Sequence, residues 1–200
     1  MIGSDRFEEM RRSLQGRLKP SRYRHSLGVS QTAEQLARIY GVNENDAAVA
    51  GLLHDWDKCR SFKDLKRIAK ERKLAPKAVR KRMPGVLHAL TAPYELHAQF
   101  PDLSRDVLQA IARHTCGAHD MTDLDKVLFI ADIIEPGRAN RAAETLREAV
   151  GAVDLDELFF MAYASTLVYL IGNGMAVHPD SIDIWNALVD RRDAAVAHMQ

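Results

Sequence analysis

The chain has 200 residues, with 28 Lys and Arg against 27 Asp and Glu and a formal net charge of +1. That length supplies one domain with a real core and no need of disulfides, and the balanced charge excludes a generic polyanion-coating protein. Two cysteines, Cys59 and Cys116, are too few for a disulfide framework and lack zinc-ligand spacing, which fits a reducing cytoplasm. The N-terminal dozen residues are charged and do not read as a secretion signal. No apolar run reaches the roughly 18–20 residues that span a bilayer. The longest, residues 158–171, carries Tyr163, Ser165, Thr166 and Tyr169 and reads as a buried helix.

In chain order the pattern is helical throughout. An amphipathic segment, Phe7 to Leu18, stops near Pro20. Val29, Ala33, Leu36 and Tyr40 share one face of a helix from Tyr23 to Tyr40, with Gly41 as its stop. Asn43 caps a helix to about Trp56 whose stretch from Ala47 to Leu53 is apolar or small at every position, which predicts a central helix without a solvent face. From Lys58 to Arg82, twelve basic residues face only Asp64 and Glu71, a local charge of 12 − 2 = +10. Pro76 and Pro84 divide this region into two short helices; it reads as a solvated face, then as an attractor of anionic substrate, and only third as an RNA surface, because Phe62 is its sole aromatic residue. A helix over Val86 to Leu90 precedes a second start near Pro93. Ser104 caps a helix to about Thr115, ended by Cys116-Gly117, and Thr122 with Asp125 opens one to Glu135, ended by Pro136-Gly137. Arg141 to Val150, Asp156 to Ile171 and Ser181 to His198 complete the set. No linker divides the chain, so a single all-α domain over 1–200, with its core at about 20–190, is expected.

Ionisable residues interrupt the apolar faces. His25 precedes Val29 by one turn, His54 and Asp55 close the apolar central helix, His114 continues the stripe Val107, Ala110 and Ile111, and Asp132 lies inside the apolar run from Val127 to Ile134. A single buried histidine is ordinarily a hydrogen-bonded core residue. Three histidines and two aspartates on inward faces are better explained by a shared cation, because an isolated buried carboxylate is costly. Facing helices of a bundle build metal sites in this way.

The order His25, His54-Asp55, Asp132 resembles the H…HD…D pattern of the HD-domain metal-dependent phosphohydrolases. The strings RYRHSLGV, AVAGLLHDWDK, AIARHTCG, FIADIIEPGR and GMAVHPDSIDIWN further resemble the YqeK family of symmetrical bis(5'-nucleosyl)-tetraphosphatases, over about residues 20–190. The resemblance implies an HD-type helical bundle with a metal site between central helices, and symmetrical hydrolysis of diadenosine tetraphosphate to two ADP. It implies His25, His54, Asp55 and Asp132 as metal ligands, iron as the metal with Mn or Zn as alternatives, and His88 and His114 as phosphate contacts or ligands of a second metal. Arg22, Lys58 and Arg138 are expected at phosphates; Asp55, Lys58 and His114 are expected to serve catalysis, His114 as a proton donor. Trp185 is expected to grip the nucleotide. A cytoplasmic enzyme, with a homodimer as its candidate assembly, acting on a nucleoside polyphosphate and not on membranes or nucleic acid, is the resulting expectation. Another HD-type nucleotidase or phosphodiesterase, or a non-catalytic nucleotide sensor, are the alternatives.

Overall fold

The computed structural model describes residues 2–198. Eleven α-helices and two single 3-10 turns make up the described residues, with no strand beyond an isolated bridge between Val150 and Val153. The helices are α1 (Ser4–Arg17), α2 (Pro20–Tyr40), α3 (Glu44–Leu53), α4 (Phe62–Glu71), α5 (Lys77–Arg82), α6 (Leu87–Gln99), α7 (Arg105–Arg113), α8 (Asp123–Ile134), α9 (Arg141–Ala149), α10 (Leu155–Gly172) and α11 (Pro179–His198). The all-helical expectation holds, and its caps hold in detail: Asn43, Ser104 and Thr122 each accept a backbone N–H three residues on, and Thr122 with Asp125 closes both halves of a capping box.

Three boundaries differ from the sequence reading, each for a local reason. Pro20 opens α2 rather than ending the previous segment, since a proline at the first helical position has no N–H to leave unpaired. Pro93 lies inside α6 instead of starting a new helix; the neighbouring turns bury Ala89, Ala92 and Leu96, which keeps the helix running through the missing backbone bond. The central helix stops at Leu53, and a 3-10 turn over Trp56–Cys59 follows, so His54 and Asp55 sit at a bend rather than within the helix.

Helix α3 is the centre of the molecule, crossing α2 and packing on α7 and α8. Gly51 permits the crossing: a Cβ there would lie 2.7 Å from Ser30 Cα. Ser30 Oγ donates to the Ala48 carbonyl at 2.7 Å and ties the same contact. Helices α4 and α5 cover a separate small core of Leu65, Ala69, Ala75, Val79 and Leu87. The basic residues between Lys58 and Arg82 thus coat an appended lobe. Helix α10, at 18 residues, is longer than the sequence suggested and could cross a membrane by length and composition alone. It packs on α8, α9 and α11, burying Leu158, Phe159, Ala162 and Tyr163.

Candidate metal centre

Five helices deliver the site. His25 projects from the second turn of α2, and Asp132 from the last turn of α8. His54 and His114 occupy the C-terminal caps of α3 and α7, and His88 opens α6. Asp55 follows His54 at the bend.

The rings share one device. Nδ1 of His54 lies 2.7 Å from the Gly51 carbonyl, Nδ1 of His88 lies 2.7 Å from the Gly85 carbonyl, and Nδ1 of His114 lies 2.7 Å from the Ile111 carbonyl. A carbonyl only accepts, so each Nδ1 carries the hydrogen and each ring, when neutral, offers its Nε2 lone pair inward. His25 is held likewise, but by a side chain: its Nδ1 lies 3.1 Å from Glu135 Oε1.

The inward atoms converge. His25 Nε2 is 3.0 Å from Asp132 Oδ1 and 3.8 Å from Asp55 Oδ2, and His54 Nε2 is 3.4 Å from the same Asp55 oxygen. The other Asp55 oxygen is 3.0 Å from His88 Nε2, which is 3.2 Å from His114 Nε2. The buried Nε2 atoms of His25 and His54 have no hydrogen-bond partner despite these short approaches. Donor atoms of His25, His54 and Asp55, of His54, His114 and Asp132, and of Asp55, His88 and His114 each lie within 4.8 Å of one another. Buried imidazole nitrogens without a partner, beside carboxylates, are the arrangement that cations satisfy. The residues present therefore fit divalent metal, with nitrogen and oxygen donors and no thiolate.

The electrostatics follow from burial and proximity. Desolvation opposes charge on both His54 and Asp55, but their mutual attraction outweighs it, raising the His54 pKa and holding Asp55 well below the usual carboxylate range. Asp132 is also held low despite desolvation, through its contact with His25 and the neighbouring His54 and His114. Burial, reinforced by His54 and His88, pushes His114 down to about 3. Desolvation likewise lowers the Lys58 pKa, against the pull of Asp55.

Cationic side chains border the cluster. Arg22 Nη1 donates to Asp55 Oδ2 at 2.9 Å, Arg138 Nη2 donates to Asp132 Oδ1 at 2.9 Å, and Lys58 Nζ is 3.8 Å from Asp55 Oδ1 and 3.4 Å from the His88 ring. Two cavities open beside it. A groove of about 680 Å³ lies on the Arg22 and Arg138 side and also reaches Arg24 and Gln31. A largely apolar cavity of about 520 Å³ lies on the Lys58 and His88 side, with Phe129, Leu167 and Leu170 in its wall and His178 and Ser181 among its polar groups. Such volumes suit a nucleoside-sized ligand.

Every site residue expected from sequence except Trp185 falls in or beside one cluster. Trp185 stacks on Phe160 at 4.8 Å between ring centres and is absent from the cavity wall, to which its segment contributes Met175, Ala176, His178 and Ser181. His114 Nδ1 faces the Ile111 carbonyl, and burial with the neighbouring histidines holds its pKa low, which favours a neutral ring with Nε2 turned to the cluster. Glu135, whose carboxylate reaches His25, is the neighbour of the cluster that sequence reading missed. Its spacing of three from Asp132, on the same face of an apolar run, was the available signal.

The HD domain model matches residues 22–137. The symmetrical bis(5'-nucleosyl)-tetraphosphatase of Bacillus subtilis is 32% identical over 91% of this chain and 97% of its own length. The protein of the same name from Halalkalibacterium halodurans is 31% identical over 86% and 91%. A crystal structure from Clostridium acetobutylicum, described as a predicted HD superfamily hydrolase involved in NAD metabolism, aligns with a TM-score of 0.85 at 32% identity, covering 92% of this chain and 97% of that one. With its ligand-like cluster inside the matched region, the chain belongs to the HD-domain family and, within it, to the symmetrical bis(5'-nucleosyl)-tetraphosphatases.

Proposed function

We propose that the protein hydrolyses diadenosine tetraphosphate to two ADP at a divalent-metal centre held by His25, His54, Asp55 and Asp132, with His88, His114 and the second Asp55 oxygen facing a second cation. The observation that carries this reading is the convergence of four Nε2 atoms and two carboxylates between a nucleoside-sized cavity and an arginine-lined groove. A bound divalent cation supplies Lewis acidity to a phosphoryl oxygen and brings the pKa of a water towards about 7. The resemblance favours iron, and the nitrogen and oxygen donors equally admit Mn or Zn.

The chain's own residues account for the rest. The apolar cavity takes one nucleoside, Phe129 and Leu167 against the base, with His178 and Ser181 available to its polar edge. Lys58 meets the phosphates where that cavity joins the cluster, and Arg22 and Arg138 meet them on the groove side. Pre-placed cations of this kind offset charge that develops on the transferring phosphoryl group. Water adds across the central P–O bond: one ADP retains the bridging oxygen and the other gains the water oxygen. ADP is a good leaving group, so the cleavage does not depend on a strong proton donor, and His114 is read as a ligand.

The free cysteines Cys59 and Cys116 agree with a reducing cytoplasm. A homodimer would cover the exposed Val168, Tyr169 and Ile171 of α10. The test of the function is hydrolysis after anaerobic loading with Fe²⁺, and separately with Mn²⁺. Wild type turns over, whereas His54→Ala and Asp55→Ala lose both metal and turnover. Full activity in either variant contradicts the site.

A further inference from the structure

We propose that Glu135 is a positioning residue that holds His25 with its Nε2 towards the metal; the inference rests on the metal reading, not on the nucleotide.

Helix geometry explains why this histidine needs a partner from elsewhere. His54 and His114 stand at helix C-termini, where the carbonyls of Gly51 and Ile111, three residues back, belong to the last turn and are free to accept. His88 uses Gly85 of the 3-10 turn before α6. His25 lies inside α2, which continues to Tyr40, so the carbonyls around it are engaged by the helix itself. Only a side chain from another element can fix its Nδ1, and Glu135, at the C-terminal cap of α8, does so at 3.1 Å.

The carboxylate is itself built in. It is 5% exposed, and its Oε2 accepts the Gly137 N–H at 2.6 Å. A Cβ on Gly28 would lie 2.7 Å from Oε2, and one on Gly137 would lie 2.8 Å from Oε1. Both glycines thus make room for this one side chain, and Gly28 does so at the usual cost of glycine within a helix. Arg147 braces the turn from α9, donating to the carbonyls of Ile134, Glu135 and Arg138 at 2.8, 2.7 and 2.8 Å. Arg138 Nε stands 3.8 Å from Glu135 Oε1. One braced turn therefore sets both a ligand's orientation and a phosphate-facing guanidinium.

The experiment is Mn²⁺ binding to the metal-stripped full chain, followed by calorimetry and by the spin-resonance spectrum of bound Mn²⁺, with no nucleotide present. Removing a partner of this type costs about 10–100-fold in metal affinity. Glu135→Ala should show that loss at one class of site and an altered spectrum, with a thermal midpoint near that of the stripped wild type. Glu135→Gln keeps an acceptor oxygen in the same place and should recover much of the affinity. Gly28→Ala, which displaces the carboxylate without altering it, should reproduce the loss. Wild-type affinity in Glu135→Ala, or equal weakness in the Gln and Ala variants, would overturn the assignment. Because no nucleotide is used, neither result depends on which phosphoester is cleaved.

Discussion

Arg22 and Arg138 each donate to a carboxylate that also faces a histidine, so their guanidiniums are anchored at the cluster while their edges line the groove. A charge-assisted hydrogen bond to phosphate contributes about 1.5–3 kcal/mol. Arg22→Ala or Arg138→Ala should therefore lower kcat/KM for diadenosine tetraphosphate by about 10–150-fold with metal content retained, as read by steady-state kinetics beside metal analysis. An unchanged kcat/KM would move both arginines to a structural role. Sequence made the ligands legible because a charged or imidazole group on an otherwise apolar face, as at His25, His114 and Asp132, has few bland explanations. It could not show which nitrogen each ring presents. That depends on carbonyls freed only once the helix ends are in place, and on Glu135, whose partner His25 lies 110 residues away.

At the scale of elements, the α2–α3 crossing sets the distance between His25 and the His54-Asp55 pair. Gly51 lies in that crossing with backbone rather than a flexible side chain opposite. Gly51→Ala should force the helices apart and cost about 1–3 kcal/mol, measured by chemical denaturation of the metal-free protein. It should also weaken metal binding, because the Gly51 carbonyl orients His54. Stability equal to wild type would contradict the close crossing. The continuous apolar stretch of Ala47 to Leu53 made α3 legible as a central helix. The bend after Leu53 and the passage of α6 through Pro93 were not legible, since packing on neighbouring helices overrode the local signals. The basic run showed its charge but not its core: Leu65 and Ala69 share a face of α4 and Val79 lies on α5, yet only the fold shows them closing over Leu87.

In the whole molecule, the cluster couples stability to pH and to metal. The metal-free protein should be most stable close to pH 6.5, the ordinary histidine value. As pH falls below it, the unfolded chain protonates His114 while the folded chain, with that pKa near 3, does not, so stability declines. As pH rises above it, the raised pKa of His54 means the folded chain surrenders a proton that stabilised it, and stability declines again. Asp55 and Asp132, both held low, add their stability above the ordinary carboxylate range and lose it only in stronger acid. Saturating Mn²⁺ should raise the midpoint and remove the alkaline decline, since metal competes with the His54 proton. Thermal melts from pH 5 to 9 with and without Mn²⁺ check this, and a metal-free midpoint that climbs steadily through pH 8 would contradict it. The apolar cavity and the arginine groove on either side of the cluster were invisible in sequence, because their walls come from segments as distant as Arg22 and Arg138, or Lys58 and Ser181.

The register of cleavage is read by product analysis in ¹⁸O-labelled water. Metal-loaded protein is given diadenosine tetraphosphate, and the products are separated by ion exchange and weighed. ADP should be the sole product, with one ¹⁸O carried by one of the two ADP formed in each turnover, and Asp55→Ala should give no turnover. AMP with ATP, or no hydrolysis by protein shown to hold its metal, would contradict symmetrical cleavage at this centre.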